Sequence, residues 1–233
     1  MRLLITRPET DALPLAETLR ARGHEAVIEP LLTIDYLDLA LNLEGICGVL
    51  ITSAAGIRAL ARLSGDRRVP VYAVGSASAA TARELGYRNV HTADGDVHAL
   101  ADLVTNSVSP DDGILFHAAG STLAGDLKAL LEAEGFTIFR TAIYHARTAM
   151  ALSDTAADLI AAGGLDGVLL YSPRTARTFV RLLRDAGLEE HCRTISAYCL
   201  SRAVADAIAG LPWHTVHVAA QPTQADLLRL PGL

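Results

Sequence analysis

Short apolar runs alternate along the chain with longer stretches whose apolar positions recur at helical spacing. Residues 3–5 (Leu3-Leu4-Ile5), 49–51, 71–74 and 168–170 are continuously apolar, as strands buried on both faces read. Each run ends in a polar turn and passes into an amphipathic pattern that predicts a helix. In the stretch GVLITSAAGIRAL, residues 48–60, an apolar run reaches Thr52-Ser53 and then places Ile57 and Leu60 at helical spacing. GVLLYSPRTARTF, from Gly167, repeats that layout.

The repetition extends to the whole chain. Residues 3–30 and 114–142 each read as strand, turn, amphipathic helix, glycine and second strand. Gly23 and Gly135 stand at the helix ends, where a positive φ is wanted. Residues 48–63 match 167–183, residues 69–86 match 193–210, and residues 89–104 match 215–230. Strands that alternate with helices imply parallel sheets covered by helices. The pattern therefore predicts two similar doubly wound α/β lobes. Residues 31–38 and 142–150 alternate apolar and polar positions and suit an extended ribbon crossing between lobes. Two crossings make one lobe discontinuous; the pattern also accommodates two sequential lobes.

A chain of 233 residues, 51% hydrophobic and 20% charged, has enough apolar material for such cores. No apolar stretch approaches the length of a membrane span, and the N-terminus begins a strand without the apolar segment of a signal peptide. The expectation is a cytoplasmic monomer without membrane association. The net charge of −6 argues against a broad nucleic-acid footprint. All basic residues except Lys128 are arginines, which suit bidentate capture of carboxylates, although a GC-rich coding sequence explains the bias as well. Cys47, Cys192 and Cys199 have no CxxC spacing and read as free thiols.

In open α/β sheets ligands bind outside the carboxyl ends of the strands, where helix N-termini present bare N–H groups. Ser53, after Thr52, fits an N-cap. Ser172 followed by Pro173 is a strong helix start. Gly75, Ser76 and Ser78 follow one third strand, and Ser201 with Arg202 follows its counterpart. Taken singly, each serine is an ordinary cap; as matched pairs they form equivalent anion sites. Arg7, after the first strand, and Arg174 are candidate partners for a ligand carboxylate, whereas Arg177 reads as a solvated helix residue. Tyr144 and Tyr171 are candidate proton donors. The histidines are scattered, and no zinc pattern occurs. There is no G-x-G-x-x-G and no G-x-S-x-G. GSTLAGD, residues 120–126, has the glycine spacing of a P-loop but carries Asp126 where lysine is required.

LLITRP at the start, GVLITSAAGIRAL, VYAVGSASAATARELGY, LLYSPRTARTF and the late AAQPTQADLL are together similar, in order and spacing, to blocks of the uroporphyrinogen-III synthase family. The resemblance spans essentially the whole chain. It implies two HemD-like, flavodoxin-like lobes with parallel sheets flanked by helices, joined by a two-stranded linker. Lobe 1 would hold residues 1–33 plus 152–233, lobe 2 residues 37–147, and the linker residues 34–36 and 148–151. It implies closure of the small-molecule substrate hydroxymethylbilane to uroporphyrinogen III, with inversion of ring D and loss of water, without a metal or organic cofactor. Thr52 and Ser53 match the family's Thr-Ser, Ser78 a family threonine, and Ser172 the serine of a later Ser-Pro. Where relatives often have Gly-x-Thr-Thr-Ala, this chain has Cys199-Leu200-Ser201-Arg202-Ala203, a departure that also fits an inactive relative. The alternative from another class is a noncatalytic two-lobed anion-binding module.

Overall fold

The structure, a computed structural model, describes residues 1–121 and 126–233. The chain opens with β1 (Arg2–Ile5), α1 (Glu9–Ala21), β2 (Glu25–Ile28) and β3 (Leu32–Tyr36). There follow β4 (Ile46–Ile51), α2 (Ala54–Leu63), β5 (Val71–Ala73), α3 (Ser76–Glu84), β6 (Val90–Thr92) and α4 (Val97–Thr105). Next come β7 (Ile114–Gly120), α5 (Leu127–Ala133) and the long β8 (Thr137–Thr148). The remainder is α6 (Asp154–Ala161), β9 (Gly167–Leu170), α7 (Pro173–Asp185), β10 (Ser196–Cys199), α8 (Arg202–Asp206), β11 (Thr215–Val218) and α9 (Gln224–Leu227).

Two compact lobes result. The first holds Met1–Thr33 with Arg147–Leu233, and the second holds Ile34–Ala146. The first sheet has the order β11-β10-β9-β1-β2, and its neighbouring pairs are parallel. This is the flavodoxin-like order 2-1-3-4-5. The second sheet has the order β3-β8-β7-β4-β5-β6, parallel from β8 through β6. Strip away β3 and it is the same arrangement with its first two strands supplied last. The matched sequence blocks thus occupy equivalent places: β1 with β7, β2 with β8, β9 with β4, β10 with β5, β11 with β6. The predicted second strand of the block at 114–142 and the predicted ribbon after it are one strand, β8, of 12 residues.

The continuous apolar runs are explained by cores on both sheet faces. Leu4, Val168, Leu170, Ala197 and Cys199 face one cluster, while Leu3, Ile5, Leu169 and Tyr198 face the other. In the second lobe Val49, Ile51, Phe116 and Ala118 face one cluster, and Leu50, Tyr72 and Leu115 the opposite one. Successive strand residues point to opposite faces, so a strand covered twice has no polar side. Among the described residues no helix is long and apolar enough to cross a membrane.

The glycine of each GVL run has a packing reason. A Cβ on Gly48 would lie 2.8 Å from Cε2 of Tyr72, and one on Gly167 would lie 2.7 Å from Cε2 of Tyr198. Each tyrosine ring then stacks on a histidine of the edge strand. Tyr72 and His91 have centroids 4.9 Å apart at 11°, and Tyr198 and His217 have centroids 5.0 Å apart at 14°. Both pairs are cross-strand partners. A glycine, tyrosine and histidine on three adjacent strands recur in both lobes, and this gives His91 and His217 a packing role.

Candidate active site

In each lobe the site-forming segments leave the carboxyl ends of parallel strands. The strand order reverses between β4 and β7 in the second lobe, and between β1 and β9 in the first. Such switch points open a crevice for ligand.

In the second lobe, β4 ends at Ile51 and Thr52 leads to Ser53. Ser53 is the N-cap of α2; its Oγ accepts from the Gly56 N–H at 3.1 Å. The same oxygen lies 2.8 Å from the Tyr144 hydroxyl, which comes from β8, 91 residues along the chain. Two glycines make this pairing possible. A Cβ on Gly120, at the end of β7, would sit 2.7 Å from Cζ of Tyr144. A Cβ on Gly56 would meet the Ala118 carbonyl oxygen at 2.9 Å. The Tyr144 ring is therefore seated against bare backbone, almost wholly buried, with its hydroxyl held on the α2 cap. One strand further on, Gly75 is the N-cap of α3 and offers no side-chain bond. Ser76 is the exposed first helical residue, and Ser78, in the first turn, is buried. The first N–H groups of α3 thus lack the side-chain cap that Ser53 gives α2.

In the first lobe, Ser172 caps α7 by accepting from the Thr175 N–H at 3.1 Å, with Pro173 at the first helical position. Its Oγ also lies 2.9 Å from the Thr175 hydroxyl. Arg174 is half-buried in the first turn. Ser201 is the N-cap of α8 and, like Gly75, makes no side-chain cap bond. Because α8 has only five residues, little macrodipole collects there. Arg202 is held by Asp206 at 3.1 Å and stays largely exposed.

Arg7 occupies the more elaborate setting. Thr6 donates its hydroxyl to the Leu169 carbonyl at 2.8 Å and fixes the end of β1 against β9. The Arg7 guanidinium then stacks over the Tyr171 ring, 4.4 Å from its centroid. One Nη donates to Gln224 Oε1 at 2.9 Å, and the other pairs with Asp11 at 3.2 Å. Burial pushes the Tyr171 phenol up to about 12, against the pull of the Arg7 charge. A phenol so weak in acidity serves better as a platform than as a proton donor. Sequence reasoning nominates neither Asp11 nor Gln224. Asp11 carries the i,i+4 spacing from Arg7 as a signal; Gln224, 217 residues away, carries none.

Other candidate chemistry is dispersed. Among the described residues no group of three or more His, Cys, Asp or Glu could hold a metal ion. Cys192 and Cys199 are buried and free, their thiols pushed up to about 12 by burial, and Cys47 is half-buried. Residues 122–125 of the GSTLAGD stretch lie outside the described residues.

No curated protein sequence matches the chain significantly. Among solved structures, uroporphyrinogen-III synthetase from Helicobacter pylori aligns with a TM-score of 0.65 at 14% identity, over 99% of this chain and 98% of that one. A mutant uroporphyrinogen III synthase from the extremely thermophilic bacterium Thermus thermophilus aligns with a TM-score of 0.58 at 15% identity, over 98% of this chain and 96% of that one. At such identities these likenesses speak for the fold. Family membership rests on the sequence itself: residues 14–229 match the family described as uroporphyrinogen-III synthase HemD. That match spans nearly the whole chain, and the chain belongs to the uroporphyrinogen-III synthase HemD family.

Proposed function

We propose that this chain closes linear hydroxymethylbilane to uroporphyrinogen III, as a cytoplasmic, monomeric enzyme of tetrapyrrole biosynthesis. The observation that carries the reading is the family match over residues 14–229. The strand-end geometry supports it, because the substrate bears an acetate and a propionate on every pyrrole.

Each lobe offers its own carboxylate donors. In the second lobe these are Thr52, Ser53 and the N-terminal turn of α3 with Gly75, Ser76 and Ser78. In the first lobe they are Arg7, Ser172, Arg174, Ser201 and Arg202. Arg7 is the strongest single donor, since its guanidinium is already oriented by Asp11, Tyr171 and Gln224.

The reaction begins with loss of the hydroxymethyl oxygen as water, which leaves an electrophilic azafulvene. Ring D attacks through its substituted α-carbon, and the resulting spiro pyrrolenine fragments and recloses with the ring inverted. Free in solution, the bilane closes without inversion. The protein must favour the strained closure by holding the chain ends in the reactive orientation. Departure of the hydroxyl needs a proton. Tyr144 is the better placed of the two tyrosines: its hydroxyl rests on Ser53 Oγ at the switch point, 2.8 Å away, and the Ser53 hydroxyl can donate a hydrogen bond to the phenolate left after proton transfer, which water then reprotonates.

The test is to generate hydroxymethylbilane in situ, add the purified protein, oxidise the products and separate isomers I and III. Predominant isomer III is expected. Isomer I alone, from folded protein, overturns the reading in favour of a noncatalytic anion-binding module.

A further inference from the structure

The first lobe carries a charged surface that the proposed site does not use. Four positions of α7 are exposed: Arg177, Arg181, Arg184 and Asp185. Pro173 and Arg174 in the first turn are half-buried, and Thr175, Ala176, Thr178, Phe179, Val180, Leu182 and Leu183 are buried. The solvent face of this helix is therefore an arginine row at i, i+4 and i+7, a spacing that keeps all three on one side. The row borders a shallow cavity of about 350 Å³ against α8, closed on the far side by Ala207 and Gly210. Gly210 lets Arg184 lie across it, since a Cβ there would come within 3.0 Å of an Nη. Arg181 spends part of its charge on Asp185 at 3.0 Å and donates to the Ala149 carbonyl at 2.7 Å. Arg177 and Arg184 form no ion pair among the described residues.

Such a row stands out on a chain whose net charge is −6. A bilane with two carboxylates on each pyrrole is repelled by that net charge at long range. The α7 row supplies the opposite field where it is needed. At about 1.5 Å per residue, Arg177 lies roughly 8 Å and Arg184 roughly 18 Å along the axis from Ser172. In solution a charge's field decays over about 10 Å at 0.1 M salt and about 3 Å at 1 M. Arg177 thus acts on ligand nearing the strand ends, and Arg184 acts on ligand further out along the groove. Capture speed matters for this substrate, because an uncaptured bilane closes to the wrong isomer.

We propose that Arg177 and Arg184, with Arg181 between them, form an electrostatic approach path that draws the polycarboxylate substrate along α7 to the strand ends of the first lobe. The inference rests on the synthase reading. It assigns the row to encounter rather than to the bound state. The test compares wild type, R177Q/R184Q and R177K/R184K, with kcat and kcat/KM for isomer III followed from 20 mM to 0.5 M NaCl. Arg181 is left intact because it braces backbone.

The Gln variant should lose about 3- to 10-fold in kcat/KM at low salt, with kcat unchanged, and should converge with wild type at 0.5 M NaCl. The Lys variant should keep the wild-type salt slope. If the Gln variant parallels wild type at every salt concentration while wild type makes isomer III, the approach path is wrong and the synthase reading stands. A Lys variant that loses as much as the Gln variant also overturns a field effect. A wild-type protein that makes no isomer III removes both.

Discussion

The two lobes share a scaffold and differ at its rim. Strand order, the glycine–tyrosine–histidine layer and the capping scheme recur: Ser53 and Ser172 cap with their side chains, while Gly75 and Ser201 do not. The rims diverge. The second lobe sets a neutral pair, Ser53 with Tyr144, at its switch point. The first sets a guanidinium on an aromatic ring and lays an arginine row down α7. Core positions answer to packing on both sides of a sheet, so they change little. Residues beyond the strand ends meet fewer packing constraints, so they are freer to specialise.

One buried position breaks the equivalence. Leu50 of β4 pairs with His117 of β7, and the matching Leu169 of β9 pairs with Ile5 of β1. His117 therefore stands where the first lobe has a buried isoleucine. It is 2% exposed, and neither ring nitrogen has a partner among the described residues. Burial, and then the Arg140 charge, lower its pKa from 6.5 to about 4.

The comparison can be broken by experiment. The largest effect is expected at the rims. If Tyr144 supplies the proton, Tyr144→Phe should lower kcat for isomer III by about 10²-fold or more, while Tyr171→Phe should change it less than about threefold. Equal losses in the two variants would erase the distinction drawn between the lobes.

His117 comes next. Folded, its imidazole stays neutral down to about pH 4; unfolded, it takes a proton near 6.5. The unfolded chain binds more protons between those values, so stability falls as pH drops through that window, by up to about 3 kcal/mol. Urea unfolding of wild type and His117→Ile from pH 7.5 to 4 should show this slope flattened in the variant. Parallel profiles would mean that His117 is satisfied in solution.

The shared layer tests the scaffold. Gly167→Ala should destabilise by about 1–3 kcal/mol, because the new methyl meets Tyr198, Leu3 and the Ser196 carbonyl at 2.7, 3.0 and 3.2 Å. Gly48→Ala should cost less, since its near neighbours are the side chains of Tyr72 and Leu115. Calorimetry that ranks them the other way would refute the packing account. The smallest effect belongs to the first-lobe cap: Ser172→Ala should cost about 1 kcal/mol of stability, measured by denaturant titration.

Much of this protein was legible one segment at a time. The apolar runs read correctly as doubly covered strands, and the serine before Pro173 as a cap. The matched blocks identified two equivalent lobes, because hydrophobic period and cap chemistry are local properties written in consecutive residues. The glycine of GVL was visible, but its reason was not: the ring that fills its space comes from the next strand of the sheet.

Long-range partners were beyond reach for the same reason. Ser53 and Tyr144 could each be nominated, yet nothing local says that a strand 91 residues later brings the hydroxyl to the cap. Gln224 gave no sign of its bond to Arg7. The sequence by itself determined the elements, their repetition and the helix starts, through short-range sterics and the burial period. Only the tertiary structure decided which side chains meet, because strand order brings distant segments together at one sheet edge, and that order is set by the summed packing of the whole sheet.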